Sequence, residues 1–264
     1  MKPNSLLAFC ATAALFSSAS DGALVAWYPL DTDASDASGN GHHGSVVGGT
    51  VNFGQAGANG ATIQSAAFPD NGHIDVPFSS SLNPGSYTVT LWANAASTGG
   101  FASPITSRDD FQGGVSTHGY IIYNNNAGNW DFWTGDGDPG WDTLVGDGVA
   151  VSTWTHLAIT YDAGTDTKTL WVNGSVSATN NVPQSGPTQY SPNGTVESEN
   201  LHIGSGQDNG ANFFFSGNID DVTIWDDVKD QNAIQDIMNN SIPEPAAFSL
   251  VALVGLGLML RRRR

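Results

Sequence analysis

The stretch GSYTVTLWANA, residues 85–95, decides the fold class of this chain. Tyr87, Val89 and Leu91 alternate with small polar residues, so an extended strand here has one apolar and one polar face. Such alternation is typical of an antiparallel strand with one face in a core and the other in water. We therefore predict a half-buried β-strand at this position.

Eight further segments are rich in β-branched and aromatic residues and are bounded by Gly, Asn, Asp and Pro. They are 23–30, 73–78, 119–124, 129–133, 154–162, 167–178, 200–204 and 213–226. Within 167–178, Asn173-Gly174 separates two strand-like halves and predicts a β-hairpin. A single helix is predicted over 231–238, with Asp230 as its N-cap. Because no repeat or linker divides these segments, we expect one all-β domain over 22–240.

Five motifs occur in the order found in LamG-like domains, which belong to the concanavalin A-like lectin and glucanase superfamily. They are LVAWYPLDTDASDASGNGHHG (24–44), GSYTVTLWANA (85–95), WTHLAITYD (154–162), LWVNG (170–174) and FSGNIDDVTIWDD (215–227). The chain resembles that family over nearly the whole of 22–240. The resemblance implies a two-sheet antiparallel jelly-roll β-sandwich, and it informs fold better than function.

Both ends of the chain have the composition of processing segments. Residues 1–20 contain Lys2, an apolar stretch over 6–16 and small residues after it, which predicts a signal peptide cleaved near Ala19 or Ser20. Cleavage removes the one cysteine, Cys10, so no disulfide is expected. Residues 246–260 are apolar apart from Ser249. A helix there would be about 22 Å long and would just span the membrane with help from the arginines that follow.

The whole C-terminal segment, 241–264, resembles the PEP-CTERM sorting signal of Gram-negative bacteria. The matching residues are Pro243, Glu244 and Pro245, the apolar run, and Arg261, Arg262, Arg263 and Arg264. The resemblance implies export across the inner membrane and an exosortase as partner, which cleaves the tail and passes the protein to the cell surface or extracellular matrix. Contact with the inner membrane is then transient. The alternative is a permanent C-terminal anchor.

The charge of the chain excludes one class of partner. The formal net charge is −17, but five of the eight basic residues lie at the ends. Between Asp21 and Asn240 the basic residues are Arg108, Lys168 and Lys229, against 24 acidic ones, a net charge near −21. So acidic a domain is not expected to bind nucleic acid or anionic lipid, because both are negatively charged. Solubility and cation binding are both compatible with it.

Catalytic residues are not evident in the sequence. The glucanase branch of the resembled superfamily uses two glutamates close together on one strand, and Glu197 with Glu199 is the nearest match. The surrounding PNGTVESEN has the composition of a loop and offers no aromatic residue for a sugar. No Gly-x-Ser-x-Gly motif occurs, and the histidines lack zinc-site spacing. We therefore predict a protein that is not an enzyme.

A structural Ca²⁺ ion is the one cofactor predicted. The loop DTDASDASGNG offers the oxygen ligands that calcium prefers, and alternation places Asp220 on the same face as Val222 and Ile224, hence inward. The LamG-like resemblance implies Asp36 and Asn40 with Asp220 as ligands, together with Asp221 or Asp31. The alternative is that these carboxylates accept hydrogen bonds from backbone amides in turns.

An aromatic cluster in NWDFWTGDGDPGW, residues 129–141, is the candidate ligand site. Sugars stack on flat aromatic faces, and Trp130, Trp133 and Trp141 offer such faces. Alternation places Trp130 and Trp133 on opposite faces, so that one of them belongs to the core. The sequence thus predicts a secreted, non-catalytic domain that binds a glycan or a surface protein. The alternatives are a purely structural adhesion or matrix protein and a glycoside hydrolase.

Overall fold

A computed structural model describes residues 22–110, 117–135, 140–183, 200–207, 211–240 and 242. Within these ranges the chain forms seventeen strands, numbered β1 to β17 in chain order, one 3₁₀ turn (Ser80–Leu82) and one α-helix. Fifteen of the strands build two antiparallel sheets whose inner faces share one apolar core, and the other two pair with each other. The predicted all-β sandwich is therefore confirmed.

The first sheet has eight strands, and the strand predicted from 85–95 lies near its centre. In spatial order they are β13 (Ser175–Asn181), β12 (Thr167–Val172), β11 (Thr155–Asp162), β6 (Tyr87–Ala95), β17 (Gly217–Trp225), β4 (Gln64–Phe68) and β3 (Asn52–Ala56), while β1 (Leu24–Tyr28) pairs with β17 beside β4.

The second sheet has seven strands. Their order is β10 (Trp141–Gly148), β9 (Asn129–Gly135), β8 (Thr117–Asn124), β7 (Ala102–Asp110), β14 (Leu201–Ile203), β5 (His73–Val76) and β2 (Ser45–Val47). The short strands β15 (Gly206–Gln207) and β16 (Ala211–Asn212) pair with each other next to β7.

The polar face of β6 is covered and not wet, contrary to the sequence prediction. Val89 and Leu91 enter the core as expected, but Thr88 and Thr90 are also fully buried. The Thr90 hydroxyl lies 2.7 Å from that of Thr223 on β17. Thr88 donates to the Asp227 carbonyl at 2.7 Å and accepts from the Lys229 amide at 2.9 Å. The segment that follows β17 therefore crosses the outer face of the sheet.

The predicted helix is confirmed as α1, Gln231–Asn239. The Asp230 carboxylate accepts the Ala233 amide at 2.9 Å and so caps the first turn. Ile234 is fully buried against Ala158 and Trp171 on the outer face of the eight-stranded sheet. One face of the sandwich is thus covered by the helix.

A β-bulge in β17 corrects the predicted orientation of Asp220. The pairing with β6 shifts between Asp220 and Thr223, where Asp221 adopts a left-handed φ of 48°. Ile219 and Val222 both face the core, whereas Asp220 pairs with Trp92, which lies outside it. Asp220 is buried, but on the outer side of the sheet, because the extra residue breaks the simple alternation.

The predicted signal peptide, 1–20, lies outside the described residues. So do Pro243, Glu244, Pro245 and the four terminal arginines of the predicted sorting signal, 241–264. Among the described residues, no helix is long and apolar enough to cross a membrane.

Candidate functional site

The candidate site is a pocket on the outer face of the seven-stranded sheet, with a volume of about 180 Å³. Five of the six described residues that line it are aromatic, and the sixth is an arginine. They are Phe101, Arg108, Tyr123, Trp133, Trp141 and Phe213. Two of the three tryptophans predicted for a ligand site are therefore brought together.

Strand alternation explains which tryptophans reach the pocket. On β9, Trp130 and Phe132 point into the core. Trp133 follows Phe132 directly, so by alternation it points outward into the pocket. Trp130 is only 1% exposed and does not line the pocket. Trp141 pairs across the sheet with Gly135 and therefore lies on the same outer face as Trp133. The prediction that one tryptophan of β9 belongs to the core is confirmed.

The aromatic wall of the pocket is held by edge-to-face contacts. The ring of Phe101 lies 5.2 Å from that of Tyr123 and 5.7 Å from that of Trp133, both nearly perpendicular. Tyr123 also meets Trp133 at 5.3 Å and Phe213 at 5.6 Å. Edge-to-face packing at these separations is favourable for aromatic pairs. In addition, the Trp133 indole N–H donates to the Asp131 carboxylate at 3.4 Å, which fixes the plane of that ring.

The opposite wall is formed by Arg108 and Trp141. The Arg108 guanidinium lies 4.8 Å above the Trp141 ring, a cation–π contact, and it donates a hydrogen bond to the Gln207 carbonyl. Only 8% of Arg108 is exposed. The pocket therefore combines flat apolar surfaces with one positive group, in a domain where basic residues are scarce.

Four lining residues were missed by the sequence analysis: Phe101, Arg108, Tyr123 and Phe213. The Ser103 amide of β7 donates to the Phe213 carbonyl at 2.8 Å, and this contact places Phe213 beside β7. Phe213 adopts a left-handed φ of 52°, which is unusual for an aromatic residue and marks a constrained turn beside the pocket. Of these four, Arg108 could have been identified from the sequence as a candidate site residue, because it is one of three basic residues in the domain.

A serine, a histidine and an aspartate also meet near the pocket. The Ser205 hydroxyl lies 3.1 Å from Nδ1 of His202, and Nε2 of His202 lies 3.3 Å from a carboxylate oxygen of Asp75. These are the residue types of a hydrolase triad. However, Ser205 is fully buried and His202 is 1% exposed, so a substrate does not reach the hydroxyl. The group is built to connect β5 and β14.

The first two residues of the predicted calcium set serve the loop that contains them. The Asp36 carboxylate accepts the amides of Trp27, Ser38 and His42 at 2.9–3.0 Å. The Asn40 side chain donates to the carbonyls of Leu24 and Val25. Both residues thus fasten the loop to β1. This is the alternative that the sequence left open, carboxylates held by backbone amides.

The other three, Asp31, Asp220 and Asp221, form a separate acidic group. Burial raises the pKa of Asp220 to about 7, against hydrogen bonds from Ala58 and Thr62, and the carboxylates of Asp221 and Asp31 add to the rise. Burial likewise raises the pKa of Asp221 to about 6, although the Trp27 indole donates to it at 2.7 Å. One oxygen of Asp220, Oδ1, has no hydrogen-bond partner among the described residues.

These observations fit a calcium site only in part. The unsatisfied oxygen and the mutual repulsion suit a cation near Asp220 and Asp221. Yet nowhere in the part of the chain that the structure describes do three acidic, histidine or cysteine side chains converge closely enough to hold a metal ion. The glutamates considered for catalysis, Glu197 and Glu199, lie outside the described residues.

Comparisons with known proteins agree with the fold. Domain 4 of AbnA, an extracellular arabinanase from Geobacillus stearothermophilus in complex with arabinotriose, is 19% identical with a TM-score of 0.57, covering 81% of this chain and 98% of that one. The CBM40 of the Ruminococcus gnavus IT-sialidase bound to α2,3-sialyllactose is 17% identical with a TM-score of 0.51, covering 64% and 94%.

The botulinum neurotoxin serotype D ligand-binding domain in complex with N-acetylneuraminic acid is 15% identical with a TM-score of 0.58, covering 81% of this chain. Our chain spans about half of that domain, 50% of its length. No curated protein sequence matches the chain. Residues 68–235, more than half of the chain, match the family profile described as concanavalin A-like lectin/glucanases superfamily. The chain is thus a member of the concanavalin A-like lectin and glucanase superfamily.

Proposed function

We propose that this domain is a non-catalytic glycan-binding module whose ligand site is the aromatic pocket. The observation that carries the proposal is the pairing of Trp133 with Trp141 and Arg108 on one outer face. Tryptophan faces stack on the apolar faces of sugar rings, and a guanidinium donates hydrogen bonds to their oxygens. The pocket supplies both.

The size of the pocket indicates how much of a glycan it takes. Sites that enclose drug-sized ligands measure about 300–1,000 Å³. At about 180 Å³ the pocket is smaller. A single sugar unit of a longer chain is therefore the ligand that it suits best, with the remaining units outside.

The three compared structures support the class of ligand without choosing its identity. Those structures are complexes with arabinotriose, α2,3-sialyllactose and N-acetylneuraminic acid, which differ in ring size and in charge. At 15–19% identity these likenesses establish the fold alone.

A binding role is favoured over hydrolysis by the chemistry of the pocket lining. Retaining hydrolysis of a glycosidic bond needs two carboxyl groups about 5–5.5 Å apart, and inverting hydrolysis places them about 6.5–9.5 Å apart. None of the described lining residues carries a carboxylate. Release of reducing sugar from a polysaccharide, abolished by Glu199→Gln, would overturn this part of the proposal.

The test is a glycan array probed with the purified domain and two tryptophan variants. Trp141→Ala removes one wall of the pocket, and we expect it to abolish binding of every glycan that the wild type binds. Trp225→Ala is the matched control, because Trp225 lies in β17 of the other sheet, outside the pocket. Silence of the wild-type domain across the array would favour the structural adhesion or matrix role instead.

We also propose that the domain is exported and sorted by an exosortase to the cell surface or extracellular matrix, where such a glycan would be met. The proposal rests on the composition of residues 1–20 and 241–264. Intact mass spectrometry of the surface fraction from an exosortase-bearing host tests it. A mature form that ends near Pro243–Pro245 supports sorting, and a membrane form that still ends in Arg264 supports a permanent anchor.

A further inference from the structure

Lys168 lies beneath the pocket, between the two sheets, although its strand, β12, belongs to the eight-stranded sheet. Its side chain is fully buried. The ammonium contacts the Thr134 hydroxyl at 3.1 Å, the Asp142 carbonyl at 3.0 Å and the Asp142 carboxylate at 2.8 Å. An ammonium has three N–H donors. All three acceptors belong to β9 and β10, the two strands that carry the site tryptophans.

The contacts of Lys168 fall next to those tryptophans. Thr134 follows Trp133 and pairs with Asp142, which follows Trp141. Since neighbouring residues in a strand point to opposite faces, the ammonium binds the inner side of the sheet one residue away from each ring. It therefore binds β9 and β10 together at the point where the two strands carry Trp133 and Trp141.

The position of β10 depends on such contacts because β10 is an edge strand. It has one hydrogen-bonded neighbour, β9, in its sheet. At its other end, the Asp147 amide donates to the Ser177 hydroxyl of β13 at 2.7 Å. Lys168 and Ser177 thus connect the edge strand to the opposite sheet at two points, and Lys168 is the one beside Trp141.

A buried ammonium is a costly way to fill this space. Burial lowers the pKa of Lys168, and the Asp142 carboxylate offsets only part of that. Apolar side chains of similar volume often replace buried ion pairs without loss of stability. An apolar residue would fill the volume but would make no hydrogen bond to Thr134 of β9 or Asp142 of β10.

We propose that Lys168 is a positioning residue for the aromatic pocket, holding Trp133 and Trp141 in place from the opposite sheet. The inference rests on the proposed function for its affinity readout only. The structural part of the inference is that the Lys168 ammonium holds the Trp133 and Trp141 rings in position. That part is measurable without a ligand.

The experiment compares Lys168→Met with Lys229→Met in the full domain. Lys229 is the matched control, because its ammonium also binds an aspartate, Asp227 at 3.0 Å, and lies over Trp225 at 4.5 Å, away from the pocket. The indole N–H resonances are recorded by two-dimensional NMR and assigned with Trp→Phe variants. Melting temperature is recorded for each variant, together with affinity for the glycan that the wild type binds best on the array.

We expect Lys168→Met to shift the resonances of Trp133 and Trp141 and to weaken glycan binding about tenfold. Lys229→Met should shift the Trp225 resonance and change affinity by less than about twofold. A folded Lys168→Met protein with unchanged Trp133 and Trp141 resonances overturns the inference. So does an equal loss of affinity in both variants, which would indicate a general effect on stability.

Thr134→Val keeps the test decisive if Lys168→Met does not fold. It is nearly isosteric, retains the charge and removes one of the three acceptors. The inference predicts a shifted Trp133 resonance and weaker binding, and it fails if neither changes. Should the wild type bind no glycan, the proposed function fails by itself, and the indole resonances still decide whether Lys168 positions the two rings.

Discussion

Asp220→Asn is expected to stabilise the domain at alkaline pH and to remove the fall in stability that ionisation of Asp220 causes. The pKa of Asp220 rises from 3.8 to about 7 on folding. A carboxyl group with a raised pKa binds its proton more tightly in the folded state, so the free energy of unfolding falls as pH rises from about 4 to about 7. At about 1.4 kcal/mol per pH unit, the upper limit of this loss is about 4 kcal/mol.

Coupling to neighbouring carboxylates extends the loss of stability over a wider range of pH. Asp221 and Asp31 repel the ionised Asp220, and the three groups titrate together. We therefore expect the stability of the wild type relative to Asp220→Asn to fall by about 2–4 kcal/mol between pH 5 and pH 8 in a chelator. This comparison cancels the opposite contribution of His156, whose pKa burial lowers to about 3, so that His156 adds stability as pH rises from 5 to about 6.5. Asp220→Asn should exceed the wild type by a similar amount at pH 8, because it removes a buried charge and keeps an acceptor for the Ala58 amide.

The assay is urea unfolding at pH 5 and pH 8, with and without Ca²⁺. Asp33→Asn is the control, since Asp33 is exposed in the same acidic loop. A stability difference between Asp220→Asn and the wild type that is the same at both pH values in chelator would refute the electrostatic reasoning. If calcium binds beside Asp220, Ca²⁺ restores the lost stability at pH 8 in the wild type and not in Asp220→Asn. If Ca²⁺ has no effect on the wild type, the calcium proposal fails.

Three further substitutions test the scaffold, each by chemical denaturation. Asp36→Ala should cost about 2–3 kcal/mol, because three backbone amides lose their acceptor; an unchanged midpoint would show that water replaces it. Gly174→Ala should cost about 1–2 kcal/mol, since Gly174 has a φ of 70° and an added Cβ would lie 2.8 Å from Gln235; a neutral result would contradict the turn geometry. Asp230→Ala should cost about 1 kcal/mol through loss of the helix cap, and Asp230→Asn should restore most of it.

Sequence reasoning identified the strands whose residues alternate clearly between apolar and polar. Segments such as 86–95 and 154–162 carry clear alternation and proved to be the central strands β6 and β11. The strands that it missed have weak signals of their own. β3 reads NFGQA, and β7 contains a proline. Such strands form because a neighbour offers a pairing edge, which is information that the local sequence does not hold.

The pocket was predictable from the sequence only for the residues that lie close together in the chain. Trp133 and Trp141 lie close together in sequence, and alternation assigned a tryptophan of β9 to each face. Phe101 and Phe213 come from segments more than a hundred residues apart, and a tertiary contact, the bridge between Ser103 and Phe214, brings the two segments together. The orientation of Asp220 was wrong because a single extra residue in β17 inverts alternation locally. Bulges depend on partner strands and leave no clear trace in composition.

The placement of α1 and the pocket on opposite outer faces of the sandwich has a consequence for display. The helix covers the eight-stranded sheet, and the pocket opens on the seven-stranded one. Asn239, the last residue of α1, therefore lies on the side away from the pocket. If the domain is attached to an envelope or a fibrous matrix through residues that follow α1, its eight-stranded sheet would face that surface. The pocket on the seven-stranded sheet would then open to the surrounding medium.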